Sequence, residues 1–213
     1  MNRLFFFISI VMAITPAICQ NSMDLARDKG LNKSFNENEI KGLEAMVQYV
    51  DNMVLKKTNK TEVHKAYHIY FENWDQTSEY SMPFKENEKY PFLKSLDSST
   101  FSSIWIFQTH VDMISVGDTI YRNLENFEIL QVKPYSKYMN YLKEVGQDDS
   151  YFKKLHLEFE SIGNLSTASS FWFPKNHTNF DFTIPKNRLW AVVYLLRIEE
   201  PFKMKLERYF KNK

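Results

Sequence analysis

Arg188-Leu189-Trp190-Ala191-Val192-Val193-Tyr194-Leu195-Leu196-Arg197-Ile198-Glu199-Glu200 is apolar nearly all the way round a helical wheel. A helix with one apolar stripe lies on a surface, whereas one that is apolar on every side belongs inside. The segment therefore predicts a buried central helix near 188–200. It is too short to cross a bilayer, which takes about 20 apolar residues, and Arg197 interrupts it. Pro185 and Asn187 introduce it. Pro201 then restarts the chain as a basic terminal helix, Phe202–Lys211.

The flanking sequence supplies partners for that helix. Ile40, Leu43, Val47, Val50 and Val54 fall within an arc of about 80° at 100° per residue, so a second helix runs towards Lys56-Lys57. Ser34-Phe35-Asn36-Glu37 has the form of a capping box for its start. Asn59–Glu62 offers another, opening a helix to about Asp75 with Val63, Ala66, Tyr67, Tyr70 and Trp74 on its apolar face. Gln76–Tyr90 is polar and reads as a loop, and Pro91–Leu96 as a short helical turn. Ser136–Val145 is helical up to Gly146. Asp148 or Asp149 caps a further helix with the stripe Tyr151, Phe152, Leu155, Phe159 and Ile162, closed by Gly163. Ser166–Pro185 reads as an irregular aromatic segment, with Phe180, Phe182 and Ile184 alternating.

Thr100–Val132 admits two readings. Phe101, Ile104, Trp105, Gln108, Val111 and Ile114 suit a helix, while Ile104–Phe107 and Phe127–Val132 suit strands. The expectation is two helices broken at Gly117-Asp118, with a short β-hairpin within 100–132 as the alternative. The fold class is thus mainly α: one irregular helical bundle over 35–213, of about six to eight helices. Five glycines argue against glycine-rich phosphate loops and multi-turn β architectures.

The start of the chain reads as an export leader. Arg3 precedes the apolar run Leu4–Ile14, Pro16 breaks it, and Ala17-Ile18-Cys19 supplies a cleavage site before Gln20. The expected organisation is a signal peptide over 1–19, a flexible lead-in over 20–34 and one helical domain. Cys19 opens the alternative of a lipoprotein anchored through that residue. It is the only cysteine, so the domain that follows has neither an internal disulfide nor a thiol nucleophile. Heavy use of Asn, Lys, Phe, Ile and Tyr suits an AT-rich bacterial genome and a periplasmic or secreted product. The sequons at Asn32, Asn59, Asn164 and Asn176 then carry no meaning as glycan acceptors. Charge is balanced, with 27 Lys and Arg against 26 Asp and Glu, which argues against a nucleic-acid binder.

Few residues suggest chemistry. His64 and His68 lie one helical turn apart, with Glu72 a further turn on. Imidazoles at that spacing share metal ions. His64 and Glu72 stand about 12 Å apart along the axis, too far to meet on one ion. His110 and Asp112 are therefore the distant ligands that complete the candidate set, for zinc or another divalent metal. His156 beside Glu158 and Glu160 is a candidate for acid–base work or an ordinary surface pair. Trp172, Phe173 and His177, with Asp181, form a candidate stacking site. The terminal helix suits peripheral contact with anionic lipid.

Two functions follow. The first is an exported, non-catalytic binding protein, such as an inhibitor, an immunity-type protein or an envelope interaction module, without cofactor and with another protein or an apolar ligand as partner. The alternative is a metal-assisted hydrolase using His64, His68, His110 and Asp112.

Overall fold

The central helix forms as expected. It runs over Pro185–Leu196, with Pro185 in its first turn and every residue from Asn187 to Leu196 buried. It ends four residues earlier than the apolar pattern suggests, because Pro201 cannot continue a helix and Glu199 and Glu200 turn into an ionic cluster described below. The computed structural model describes residues 23–74 and 81–211. The expected leader, its cleavage site and Cys19 lie outside the described residues.

In chain order the elements are α1 (Lys29–Ser34), α2 (Glu37–Thr58), α3 (Val63–Glu72), α4 (Glu86–Ser95), α5 (Ser98–Ser102), β1 (Trp105–Val116), β2 (Thr119–Val132), α6 (Lys137–Val145), α7 (Ser150–Ile162), α8 (Thr167–Lys175), α9 (Pro185–Leu196) and α10 (Phe202–Lys211). The protein is mainly helical, with ten α-helices among the described residues and one antiparallel hairpin. No described helix is long and apolar enough to cross a membrane. α2 buries Ile40, Leu43, Met46, Val47, Val50 and Val54 against its neighbours, α3 and α9 among them.

Several local expectations are corrected. Residues 23–34 are not a loose lead-in. Leu25 and Leu31 are fully buried, Asp28 caps α1 by accepting from Leu31 N at 2.9 Å, and Leu25 N donates to Glu44 at 3.0 Å. Two leucines in a polar run were enough to dock it. The capping box of α2 is Asn36 with Glu39, not Ser34 with Glu37; Glu39 N donates to Asn36 and Asn36 N to Glu39, at 2.9 and 2.8 Å. Asn59 ends α2 in the left-handed region (φ 52°) rather than opening α3.

α4 extends the expected helical turn at Pro91–Leu96 back into the expected loop, α8 replaces an irregular stretch, and each contains a proline, Pro91 and Pro174. Proline removes one helical bond, but the flanks compensate: α4 carries Glu86 and Glu88 in its first turn and Lys94 in its last, matching the helix dipole. Packing α2 onto α5 needs Gly42, since a Cβ there would run into the Thr100 side chain.

The segment 100–132 is largely the hairpin, not two helices. Strands of 12 and 14 residues pair from Trp105 opposite Val132 to Val116 opposite Thr119. Gly117 turns the chain at φ 57°, and Asn123 and Asn126 in β2 also take positive φ, with a register shift opposite Gln108–His110. The base of the hairpin (Trp105, Leu130, Val132) joins the main core. Further out, Val111, Ile114, Leu124 and Phe127 close a separate small core with Leu206 of α10.

Candidate functional site

α3 turns Val63, Ala66, Tyr67, Tyr70 and Phe71 inward, which leaves His64 and His68 half-buried at its margin and Glu72 exposed. The chain leaving α8 makes a single 3-10 turn, His177–Asn179, and then buries Phe180 and Phe182. This return brings His177 onto α3. Its Nδ1 stands 3.0 Å from His68 Nδ1, and the two rings are 5.3 Å apart. Phe182 packs 4.9 Å from the His68 ring, and Phe71 lies 6.4 Å from His177. Partial burial holds both imidazoles below their ordinary pKa, and the proximity of His177 pushes His68 the same way. Asp181 acts on His68, and Glu72 on His177, in the opposite sense. Near neutral pH the pair is uncharged, so one Nδ1 donates and the other accepts. Asp181 is itself held below the usual carboxylate range by Thr183, whose hydroxyl and amide donate to it at 2.6 and 2.8 Å.

The sequence flagged His64, His68 and Glu72 as one candidate and His177 and Asp181 as another; the fold joins the two. It does not assemble the expected metal set. Among the described residues, no group of three or more His, Cys, Asp or Glu side chains is placed to hold one ion. His110 and Asp112 are exposed neighbours on β1, with Nε2 to Oδ1 at 2.9 Å, and His64 faces Glu62 at 3.8 Å. Twelve positions of strand, where helix was expected, give His110 and Asp112 this separate setting.

Of the expected stacking site, Phe173 is fully buried among Phe71, Phe180, Trp190 and Tyr194, and is core. Trp172 is partly exposed and stacks on Tyr151 at 5.2 Å. His156 and Glu160 form a 3.8 Å pair, and Glu158 accepts from the Ser166 and Ser169 hydroxyls at 3.1 and 2.6 Å.

A second arrangement was missed in the sequence altogether. Glu86, Lys89, Glu199, Glu200, Lys205 and Arg208 form a network where α4, β2 and α10 meet, with Glu86, Lys89, Glu200 and Lys205 buried and Glu199 and Arg208 partly exposed. Lys205 reaches Glu86 at 2.9 Å and Glu199 at 2.5 Å. Arg208 spans Glu86 and Glu200, both at 2.5 Å. Lys89, wholly buried, donates to Glu199 at 2.9 Å and to the Ile198 carbonyl at 2.6 Å. Tyr90 donates to Glu199 at 2.5 Å, and β2 joins through Leu130 N at 3.3 Å. Burial lowers Lys89 and raises Glu86. For Glu199 burial pulls upward, but Lys89 and Lys205 overcome it and hold the carboxyl below its usual range. Three carboxylates and three cations leave no net charge. Beside the network is a cleft of about 480 Å³ lined by Tyr90, Pro91, Glu125, Phe127 and Tyr209, among others. Lys205, one of the cations that make the terminal helix basic in sequence, is thus an inward-facing structural cation.

This network clamps the root of α10 and the hairpin to the body. Beyond it the hairpin has one face under α10 and the other open: Met113 and Ile120 are each 54% exposed. They are diagonal neighbours on that face, since Met113 pairs with Arg122 and Ser115 with Ile120. On α10, Phe202, Met204 and Phe210 are also exposed. Among the described residues the sheet has two strands; β2 backbone groups at Glu125, Glu128 and Leu130 are bonded by Tyr209, Tyr90 and Glu199, while β1 has no strand on its outer side. The signal for the clamp was Glu199-Glu200 directly after a buried run, two acids that require buried partners. No protein-family model, no curated protein and no solved structure matches this chain.

Proposed function

We propose that this chain is an exported, non-catalytic interaction protein that binds another protein through the open face of the β1–β2 hairpin. One observation carries the reading: a clamped hairpin, about 40 Å long at 3.3 Å per residue, presents Met113 and Ile120 to solvent. Exposed apolar side chains on a rigid support lose little entropy on binding, and methionine adapts to irregular partner surfaces. The outer edge of β1 adds backbone donors and acceptors for an incoming strand. The leader-like sequence over Met1–Gln20 supports export, and balanced charge supports a protein partner over nucleic acid. The hydrolase reading is set aside, because its four proposed ligands are not brought together.

The test is a comparative capture from the native cells. The bait is wild type, the hairpin variant Met113→Asp/Ile120→Asp, or the control Leu157→Asp, which alters an exposed leucine on α7. A partner retained by wild type and control and lost with the hairpin variant, at unchanged melting temperature, supports the reading. Capture that ignores the hairpin substitutions, or none at all, sinks it. Mass spectrometry of the exported product is expected to show an N-terminus at Gln20.

A further inference from the structure

We propose that His68 and His177 form a binding site for one borderline divalent cation, zinc or a similar transition-metal ion, that ties α3 to the turn after α8. The two Nδ1 atoms are 3.0 Å apart. Two nitrogens bound to one tetrahedral zinc at about 2.05 Å stand about 3.3 Å from each other. The side chains are therefore already near the bite of a two-nitrogen chelate, and small ring rotations complete it.

The proton balance is simple. In the metal-free pair one Nδ1 carries the shared proton. Moving that proton to Nε2 of the same ring leaves both Nδ1 lone pairs facing the ion and releases nothing to solvent. Partial burial, which disfavours the imidazolium forms, keeps those lone pairs available near neutral pH.

The surroundings fix the rings and favour a cation. Phe182 packs on His68 and Phe71 on His177, which limits rotation away from each other. Glu72 acts electrostatically on His177, and Asp181 on His68; Asp181 stays ionised through its bonds to Thr183. His64 is the neighbouring group of opposite tendency. No third side chain stands at ligand distance among the described residues, so water fills the remaining positions. Two imidazoles select zinc, nickel or copper over magnesium and calcium, which demand oxygen. The ion's role is structural: it would staple segments 109 residues apart in sequence.

The experiment uses the untagged chain stripped with EDTA. Calorimetric titration with zinc chloride at pH 7.5 is expected to give one ion per chain, and magnesium chloride no binding. His68→Ala and His177→Ala should each weaken zinc by at least about tenfold, whereas His110→Ala should bind as wild type. Should either alanine variant fail to fold, His68→Gln and His177→Gln retain a polar side chain of similar reach and take its place. Zinc at about 100 μM should also raise the melting temperature of wild type by mass action. The proposal is overturned if wild type neither binds zinc nor gains stability, which leaves a plain imidazole hydrogen bond. It is equally overturned if the His68 and His177 variants bind like wild type, which places the ion elsewhere.

Discussion

Asp51 of α2 and Arg188 of α9 meet inside the protein, with Arg188 Nε donating to Asp51 at 3.0 Å, Nη2 to its other oxygen, and Tyr67 OH donating at 2.9 Å. Burial lifts the Asp51 carboxyl above its ordinary range in spite of the guanidinium beside it. Breaking such a pair strands one charge, whereas removing both charges does not. Asp51→Asn should therefore cost about 3–5 kcal/mol in urea unfolding, and the double change Asp51→Leu/Arg188→Met clearly less than the sum of its two single changes; an Asp51→Asn cost below about 1 kcal/mol would refute the account. The pair was legible in part: Asp51 sits one turn after Val47 inside the apolar stripe of α2, and an acid in a stripe demands a partner. His68 was equally legible as a chemistry-bearing residue, but its pairing with His177, 109 residues away, follows from a chain return that local periodicity does not encode. Leu31 makes the same point for packing. It lies in a polar run that reads as mobile, yet it is fully buried, so Leu31→Ala should cost about 2–5 kcal/mol by thermal or urea unfolding. A cost near zero would restore the mobile reading.

The helices were readable because their apolar residues recur on one face, and the hairpin was misread for the same reason. Beyond Trp105 and Val132 at its base, its buried positions are Val111 and Ile114 on β1 and Leu124, Phe127 and Leu130 on β2. A regular strand buries every second residue; here the spacing is three, close to the helical period. On β2, Asn126 in the left-handed region lies between Leu124 and Phe127 and rotates the chain there, so the face is recovered after three residues rather than two. Asparagine tolerates that conformation and β-branched residues do not. Asn126→Val should consequently destabilise the hairpin by about 1–3 kcal/mol, and Asn126→Gly should be neutral or mildly stabilising. Hydrogen exchange of Trp105–Val132 would register both. If the two substitutions behave alike, backbone conformation is not what sets this face. The charged clamp escaped sequence reading for a different reason. Glu86, Lys89 and Lys205 look like surface residues by hydropathy, and only the meeting of α4, β2 and α10 shows that they neutralise one another.

At the scale of the whole molecule, the described residues form two hydrophobic cores of unequal size. The larger gathers α9 with residues from Leu25 to Leu196; the smaller buries Val111, Ile114, Leu124, Phe127 and Leu206, with Val116, Tyr121, Ile129 and Tyr209 packed at its margin. A small core buries too little apolar surface to stand alone, so the outer hairpin and α10 depend on the ionic clamp that joins them to the body. Opening of that part should then occur below the free energy of global unfolding. Native-state hydrogen exchange is expected to show Val111–Phe127 and Phe202–Lys211 exchanging together, ahead of α2 and α9. Lys205→Ala strips the clamp of the cation shared by Glu86 and Glu199 and leaves buried carboxylates unmatched. It should lower the opening free energy of that unit by about 3 kcal/mol or more while protection of α9 changes little. Because Glu86, Lys89, Glu200 and Lys205 are buried, 0.5 M sodium chloride should scarcely alter their pairing, since screening acts on exposed charges such as Arg208. Strong salt sensitivity would mean that the clamp is solvated. Simultaneous loss of protection in α9 and α10 would mean that the two cores unfold as one, and that the hairpin is not the separately held arm on which the proposed partner contact depends.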